Sequence, residues 1–240
     1  MLLEAQILKI HFRRLLILLT KTDYTVPLEL FEEATHRALT TEFKVTINEP
    51  TGTQFYDPWV IKEEFKDTVW NTILNTLPEP VGEARIITLD PGTCYQIHAD
   101  IDDRYHLNVV SEEAYLIDLE SQTMHKLNRD GIWYNMDAGL LHTAANFGRR
   151  HRVQLVVRKL LERVNLLDSV AVTLTSEGLS KEDARFMFDK ILSPWLNRAN
   201  KLKVIDDFKF GTNTIKFKLE RKYIEDLQRQ LIPEFKMEVE

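Results

Sequence analysis

The chain has 240 residues, carries a net charge of −6 and contains one cysteine, Cys94. With 44% apolar and 10% aromatic residues it can bury a sizeable core, so this is not the composition of a disordered protein. The acidic balance argues against a broad nucleic-acid-binding surface, and a lone cysteine excludes an intramolecular disulfide. We therefore expect a cytoplasmic protein that does not bind nucleic acid and has one large domain, with or without an appendage.

An apolar segment near the N-terminus, LLILL at residues 15–19, follows Lys9, Arg13 and Arg14. These charges leave no uninterrupted apolar stretch long enough to cross a bilayer, and no small-residue cleavage site follows the segment. We interpret residues 1–20 as an amphipathic helix without stable membrane insertion. The elements predicted between this helix and residue 84 are helices over 27–39 and 59–77 and a strand over 43–47.

From residue 84 onward, short β-rich runs alternate with turn signals, as in a sandwich or barrel. The predicted strands cover residues 84–89, 94–98, 105–110, 113–119, 123–126, 131–135, 141–146 and 151–158. They predict a mainly β fold with flanking helices, namely a double-stranded β-helix or cupin-like jelly-roll barrel. We assign the N-terminal helices and the barrel to residues 1–160.

Residues 161–240 are predicted to form a small, mostly helical C-terminal appendage. Its predicted elements are helices over 180–196 and 220–231 and a candidate strand over 215–219.

His98 and Asp100 stand two residues apart on a predicted strand, so both side chains point to the same face. His142 lies on a late strand, which a jelly roll can bring beside an early one. Two imidazoles and one carboxylate can hold one octahedral metal ion and leave positions open for co-substrate and oxygen. Each residue also has a structural interpretation: His98 as a partner of a turn carboxylate, and His142 as a hydrogen-bonded core histidine.

Arg152 lies in the last predicted strand, where it shares a polar face with Gln154 while the other face is apolar. An arginine at the barrel mouth can clamp a carboxylate with a two-pronged hydrogen bond. A metal-bound dicarboxylate would meet such a clamp. The alternative is a solvated arginine in the basic cluster at residues 149–152.

Arg104 and His106 share a face of another predicted strand. Near the metal they could grip the carboxylate group bound to it. The alternative for Arg104 is a surface ion pair with Asp102 or Asp103.

Several motifs follow one another along residues 84–158. They are Leu89-Asp90-Pro91-Gly92, His98-x-Asp100, Arg104-Tyr105-His106-Leu107, Gly131-Ile132-Trp133 and His142-Thr-Ala-Ala-Asn146 with Arg152 beyond it. In this order they resemble the aspartyl/asparaginyl β-hydroxylase branch of the iron(II)- and 2-oxoglutarate-dependent oxygenases, which includes free-proline hydroxylases. The family often ends its last strand with an acidic residue, where this chain has Arg158.

The resemblance implies a site for iron(II) and for the co-substrate 2-oxoglutarate. The implied metal ligands are His98, Asp100 and His142. Arg152 would bind the distal carboxylate of 2-oxoglutarate, with Arg104 and His106 near its metal-bound end. No side chain is expected to act as a general base, because the metal and the co-substrate supply the chemistry.

The activity implied is that of a dioxygenase that uses O2, with ascorbate as a supporting reductant, to hydroxylate an unactivated carbon of an amino acid. The substrate would be a free, proline-like amino acid or an Asp or Asn residue within a peptide. The alternatives are a zinc or manganese cupin-like enzyme that is not an oxygenase, and a catalytically silent binding protein. The sequence leaves the oligomeric state open.

Overall fold

The computed structural model describes residues 18–38, 44–78, 80–211 and 213–240. In chain order the strands are β1 Leu19–Thr25, β2 Lys44–Thr46, β3 Asn48–Pro50, β4 Trp59–Ile61, β5 Ala84–Leu89, β6 Thr93–Cys94, β7 Arg104–Val110, β8 Ala114–Asp118, β9 Thr123–Lys126, β10 Ile132–Met136, β11 His142–Asn146, β12 Arg152–Arg158, β13 Ser169–Ser176, β14 Ile205–Phe210, β15 Thr214–Glu220 and β16 Phe235–Val239. The α-helices are α1 Leu28–Ala38, α2 Val69–Leu74, α3 Lys181–Met187, α4 Ser193–Lys201 and α5 Ile224–Gln228. Single 3-10 turns occupy Glu63–Phe65 and Arg221–Tyr223, and a π-helical turn, Phe188–Leu192, joins α3 to α4. Within the described ranges, no helix is long and apolar enough to span a membrane.

The larger of two facing antiparallel sheets has the strand order β1-β10-β7-β12-β5-β2. Side chains on a strand alternate between its two faces. On one face Leu107 of β7 and Leu155 of β12 pack against helices α1 and α2, where they meet Phe31 and Trp70. On the opposite face, β7 and β12 carry polar and charged residues instead. This face lines the inside of the barrel.

The smaller sheet has the order β6-β11-β8-β9. Its apolar residues Leu116 and Ala144 share a core with Tyr134 and Met136 of the larger sheet. Two antiparallel sheets packed in this way, with early and late strands as neighbours, form a jelly roll. The predicted fold class, a mainly β double-stranded β-helix with flanking helices, is therefore confirmed.

Most of the predicted barrel strands correspond to β5 and to β7 through β12, with ends displaced by at most one residue. The strand predicted over residues 94–98 is shorter than expected. Only Thr93–Cys94 forms a strand, and an isolated bridge then pairs His98 with His142.

Two predictions for the N-terminal part differ from the structure. The helix predicted over residues 1–20 lies largely outside the described residues, and its last residues belong to β1, which pairs with β10. Of the helix predicted over residues 59–77, only Val69–Leu74 is α-helical, since Trp59–Ile61 pairs with Asn48–Pro50 as a hairpin and Glu63–Phe65 forms a 3-10 turn. Its apolar spacing matched a helix by chance, because the aromatic and β-branched residues of β4 favour an extended chain.

The C-terminal segment also needs a correction, because it is not mostly helical. Four of its strands form an antiparallel sheet in the order β14-β15-β13-β16. In β13 the buried residues Val170, Val172 and Leu174 alternate with more exposed ones. This period of two is the pattern of a half-buried strand, but no strand was predicted here. We call residues 161–240 the C-terminal layer.

The helices and the candidate strand predicted in the C-terminal layer are present with different limits. The predicted helix at 180–196 continues through the π-helical turn into α4, and the candidate strand is β15. The apolar core of the layer also takes in Phe55, Tyr56 and Ile101 from the first part of the chain. A domain boundary after residue 160 stays a prediction.

Candidate metal centre

The three predicted metal ligands come together at one end of the barrel. The backbone of His98 and that of His142 exchange two hydrogen bonds, of 3.0 and 2.9 Å, which bring the segment after β6 beside the start of β11. One ligand atom from each of His98, Asp100 and His142 lies within 4.8 Å of the other two. The Nε2 atoms of His98 and His142 are 3.8 and 3.9 Å from Oδ2 of Asp100.

The backbone fixes the tautomer of both imidazoles. Nδ1 of His98 lies 2.8 Å from the carbonyl oxygen of Gln96, and Nδ1 of His142 lies 2.7 Å from that of Leu140. A carbonyl oxygen only accepts, so each Nδ1 must carry the hydrogen. In the neutral ring Nε2 then keeps its lone pair, which is the form that binds a metal.

Asp100 divides its two carboxylate oxygens between different tasks. Oδ1 accepts from Nη2 of Arg104 at 2.6 Å, whereas Oδ2 is buried and has no hydrogen-bond partner among the described residues. Burial alone would raise the pKa of Asp100, but Arg104 and the two histidines outweigh it and lower the pKa to about 2. An ionised, buried oxygen without a partner is costly unless a cation completes it.

His142 is held in the form that a metal requires. Burial and the neighbouring His98 lower the pKa of His142 to about 4, although Asp100 acts in the opposite direction. The ring is therefore neutral at neutral pH. Two imidazoles and one carboxylate fit a divalent cation such as iron(II), manganese(II) or zinc(II), so the residues present suit the implied metal.

Arg152 is buried inside the barrel and is not solvated with the basic cluster at residues 149–152. The residue is 2% exposed, and its guanidinium carbon lies 5.3 Å from the ring centre of Tyr95. Its Nε and Nη1 atoms are buried and lack hydrogen-bond partners within the described part of the chain. Burial lowers the pKa of Arg152, and Tyr95 opposes this shift. Two free donors on a buried guanidinium fit a carboxylate ligand.

His106 shares the inner face of the barrel with this arginine. It lies opposite Val156 in the β7–β12 pairing, is 8% exposed, and has a buried Nε2 without a partner in the described ranges. Burial, Arg104 and Arg152 lower the pKa of His106 to about 3. A neutral imidazole with a free nitrogen can donate to or accept from a ligand in the barrel. Contact with a co-substrate stays a prediction.

Arg104 is bound to carboxylates of this chain. In addition to Asp100 it approaches Asp102, with 3.4 Å between Nε and Oδ2. Asp102 is 2% exposed, so this ion pair is buried and is not the surface pair considered above. Burial favours the neutral form of Arg104, but the two carboxylates outweigh it and raise the pKa. The geometry thus makes Arg104 a residue that orients the ligand Asp100, and a co-substrate contact remains a prediction.

The C-terminal layer holds the loop that carries His98 and Asp100, which we call the ligand loop. Asn197 of α4, 2% exposed, donates from Nδ2 to the backbone carbonyl oxygens of Asp100 and Ile101 at 3.2 and 2.8 Å. The backbone N–H of Ala99 donates to the carbonyl oxygen of Asp189 at 3.0 Å. A Cβ at Gly139 would lie 2.2 Å from side-chain atoms of Asn197, so only glycine lets α4 approach this closely.

The sequence did not point to Asn197, because one asparagine in a helix carries no periodic or spacing signal. Lys201, one turn further along α4, was missed for the same reason. Its Nζ atom lies 2.5 Å from Asp137 and 3.3 Å from Asp103, both beside the ligand loop. Only the folded chain brings these residues to the ligand loop.

Comparisons with known proteins add little to this geometry. No family model matches the chain, and no curated protein matches it either. Among solved structures, the chain is similar to a cupin domain from Bordetella pertussis Tohama I, with 17% identity over 34% of this chain and 84% of that one, at a TM-score of 0.30. A similarity this weak carries no argument, and the jelly-roll assignment rests on the sheet topology described above.

Proposed function

We propose that this chain is an iron(II)- and 2-oxoglutarate-dependent dioxygenase that hydroxylates an unactivated carbon of an amino acid, either free and proline-like or within a peptide. The observation that carries the proposal is that a metal-ligand cluster and an unpartnered arginine lie in the same barrel. The ligand atoms of His98, Asp100 and His142 lie within 4.8 Å of one another, and the same barrel buries Arg152 with two unpartnered nitrogens. A zinc or manganese hydrolase would use the three ligands but would have no need of the arginine.

The residues of this chain would bind and orient the reactants. Arg152 would hold the distal carboxylate of 2-oxoglutarate, and its planar fork suits that group. His106, neutral because burial lowers its pKa to about 3, would offer one further hydrogen bond inside the barrel. Arg104 would keep Asp100 ionised and turned so that Oδ2 faces the two imidazoles.

When bound, iron(II) together with O2 and 2-oxoglutarate would supply the oxidising chemistry, with ascorbate as a supporting reductant. The three ligands would leave positions on the ion for co-substrate and oxygen. Arg152 and His106 are buried inside the barrel and would hold the co-substrate away from bulk water. We assign the reaction to residues 1–160 and a supporting and covering role to the C-terminal layer.

The test is succinate formation from 2-oxoglutarate with iron(II), ascorbate and O2, against free amino acids and short Asp- or Asn-containing peptides. Turnover that requires iron and rises with one member of the panel is the expected result. Slow, substrate-independent succinate formation would retain the class and place the substrate outside the panel. Absence of succinate from protein with a filled metal site would contradict the proposal.

A further inference from the structure

A cavity of about 360 Å³ lies between the ligand loop and the C-terminal layer. Its two sides differ in chemistry. The barrel side carries charged residues: Asp100, Asp102, Arg104 and Arg158. The opposite side, from the C-terminal layer, presents the rings of Phe188, Phe210 and Phe235 together with polar residues, among them Arg185 and Asp189. A ligand that meets both Arg158 and these rings has one charged end and a hydrocarbon body.

On the charged side, Arg158 keeps one nitrogen, Nη1, without a partner. Arg104 is already bound to Asp100 at 2.6 Å. Nε of Arg158 lies 3.2 Å from Oδ2 of Asp102 and Nη2 lies 3.4 Å from Oε2 of Glu83, whereas the buried Nη1 has neither an ion pair nor a hydrogen bond among the described residues. The guanidinium carbon lies 4.8 Å from the ring centre of Phe55. A planar guanidinium with a free N–H group favours a carboxylate.

The apolar side is built from rings in mutual contact. Phe210 lies 5.0 Å from Phe188 and 5.7 Å from Phe55, measured between ring centres. Such a cluster recognises hydrocarbon by burying it, without directional hydrogen bonds. Because Phe55 contacts both Arg158 and Phe210, the cationic and apolar parts of the cavity are contiguous.

We propose that this cavity binds the primary substrate, a small free carboxylic acid with a compact hydrocarbon body, whose carboxylate is held by Arg158. The inference rests on the proposed function, since Asp100 lines the cavity and the ligand would therefore lie next to the metal site. The volume is at the low end for ligand pockets, about 300–1,000 Å³. A residue inside a peptide has no α-carboxylate for Arg158.

The probes are 4-methylpentanoate and its neutral analogue 4-methylpentanamide, titrated calorimetrically into the full chain. We expect the acid to bind and the amide to bind at least about tenfold more weakly, as the loss of a charged hydrogen bond requires. Both titrations are repeated with manganese(II) and 2-oxoglutarate present. The acid should still bind, because 2-oxoglutarate is assigned to Arg152.

Arg158→Gln should weaken binding of the acid about tenfold or more and leave the amide unchanged. Arg158→Lys keeps the charge beside Asp102 and Glu83, so it remains informative if the glutamine variant fails to fold. This variant should still weaken binding of the acid, because lysine lacks the planar guanidinium of arginine. Arg221→Gln, at an exposed ion pair with Asp168, is the matched control and should match the parent chain.

Phe210→Ala tests the other side of the cavity. It should weaken binding of 4-methylpentanoate more than binding of acetate. Equal binding of acid and amide, parent-like affinity in both Arg158 variants, or displacement of the acid by 2-oxoglutarate would overturn the assignment. So would a failure of the parent chain to bind the acid. None of these results depends on turnover, and Arg152→Gln should keep the binding of the acid. Failure of the dioxygenase proposal would therefore be seen separately, in the succinate assay.

Discussion

The interior of the barrel, around the candidate site, and the core of the C-terminal layer bury different kinds of side chain. In the barrel, Arg152, His106 and Asp100 each have at least one buried polar atom that lacks a hydrogen-bond partner in the described chain. The core of the layer is apolar, as at Val172, Leu174 and Leu219. A buried polar atom without a partner costs free energy that a ligand can recover, whereas a packed apolar core contributes stability directly. The comparison favours a metal and co-substrate site in the barrel, with the ligand loop held in place by the layer.

The largest expected effect on binding in the barrel comes from removing a metal ligand. His142→Ala should weaken binding of cobalt(II), followed by its visible absorption, by more than about 100-fold, because losses of even an outer-shell partner reach that range. The circular dichroism of the fold should persist. His151→Ala, at an exposed ion pair with Asp90, is the control. Loss of the fold in metal-free His142→Ala would mean that this histidine is structural.

The second test removes the buried guanidinium while leaving the metal ligands in place. Arg152→Gln should raise the 2-oxoglutarate concentration needed for half-maximal succinate formation by about 100-fold, as expected for two charged hydrogen bonds. Cobalt(II) binding should change little. Arg149→Gln, an exposed arginine of the same basic cluster, should behave as the parent chain. An unchanged 2-oxoglutarate requirement in the Arg152 variant would remove it from the site.

A third, smaller effect tests the support that the layer gives. Asn197→Ala removes the donor to the carbonyl oxygens of Asp100 and Ile101, and we expect cobalt(II) affinity to fall about tenfold. Hydrogen exchange in the ligand loop should accelerate at the same time. Asn200→Ala on the same helix is the control. If both variants bind cobalt(II) as the parent does, the layer has no part in positioning the ligands.

A fourth test concerns the pH dependence of stability. The pKa values of His106 and His142 are lowered from 6.5 to about 3 and about 4. The unfolded chain therefore binds more protons than the folded chain at pH values between these limits and 6.5. The free energy of unfolding of the metal-free chain should rise with pH through this window, by at most about 1.4 kcal/mol per pH unit for each histidine.

Urea denaturation of the metal-free chain between about pH 4.5 and pH 7 would measure this slope. His106→Asn should reduce the slope, whereas His36→Asn, on the exposed side of α1, should not. A stability that falls as pH rises through the window would contradict the assignment of buried neutral histidines.

Much of the barrel was readable from the sequence, because its signals are local. Alternation marked most strands between β5 and β12, and the spacing of His98 and Asp100 placed both side chains on one face. The start of the helix predicted at 59–77 was wrong because a short apolar run fits either period. The sheet of the C-terminal layer was missed although its alternation is present, at Val170 to Leu174.

The candidate site could be predicted only in part, because only some of its residues leave a local signal in the sequence. Residue types and their spacing indicate metal ligands and a carboxylate-binding arginine, but they do not indicate which other residues hold these side chains in place. Asn197 and Lys201 act on a loop nearly a hundred positions earlier in the chain, as the contact of Asn197 with Asp100 shows. Contacts of this kind depend on tertiary packing and leave no mark in composition, period or spacing.

The hydrogen bonds that orient the two imidazoles have a consequence for genetics. Their acceptors are the main-chain oxygens at positions 96 and 140, which every amino acid supplies. Substitutions of Gln96 and Leu140 would therefore leave the tautomers unaltered, and a mutational scan would report only the packing cost at the buried Leu140. Only an edit to the peptide backbone itself, such as an amide-to-ester replacement, would weaken these acceptors and make their contribution visible.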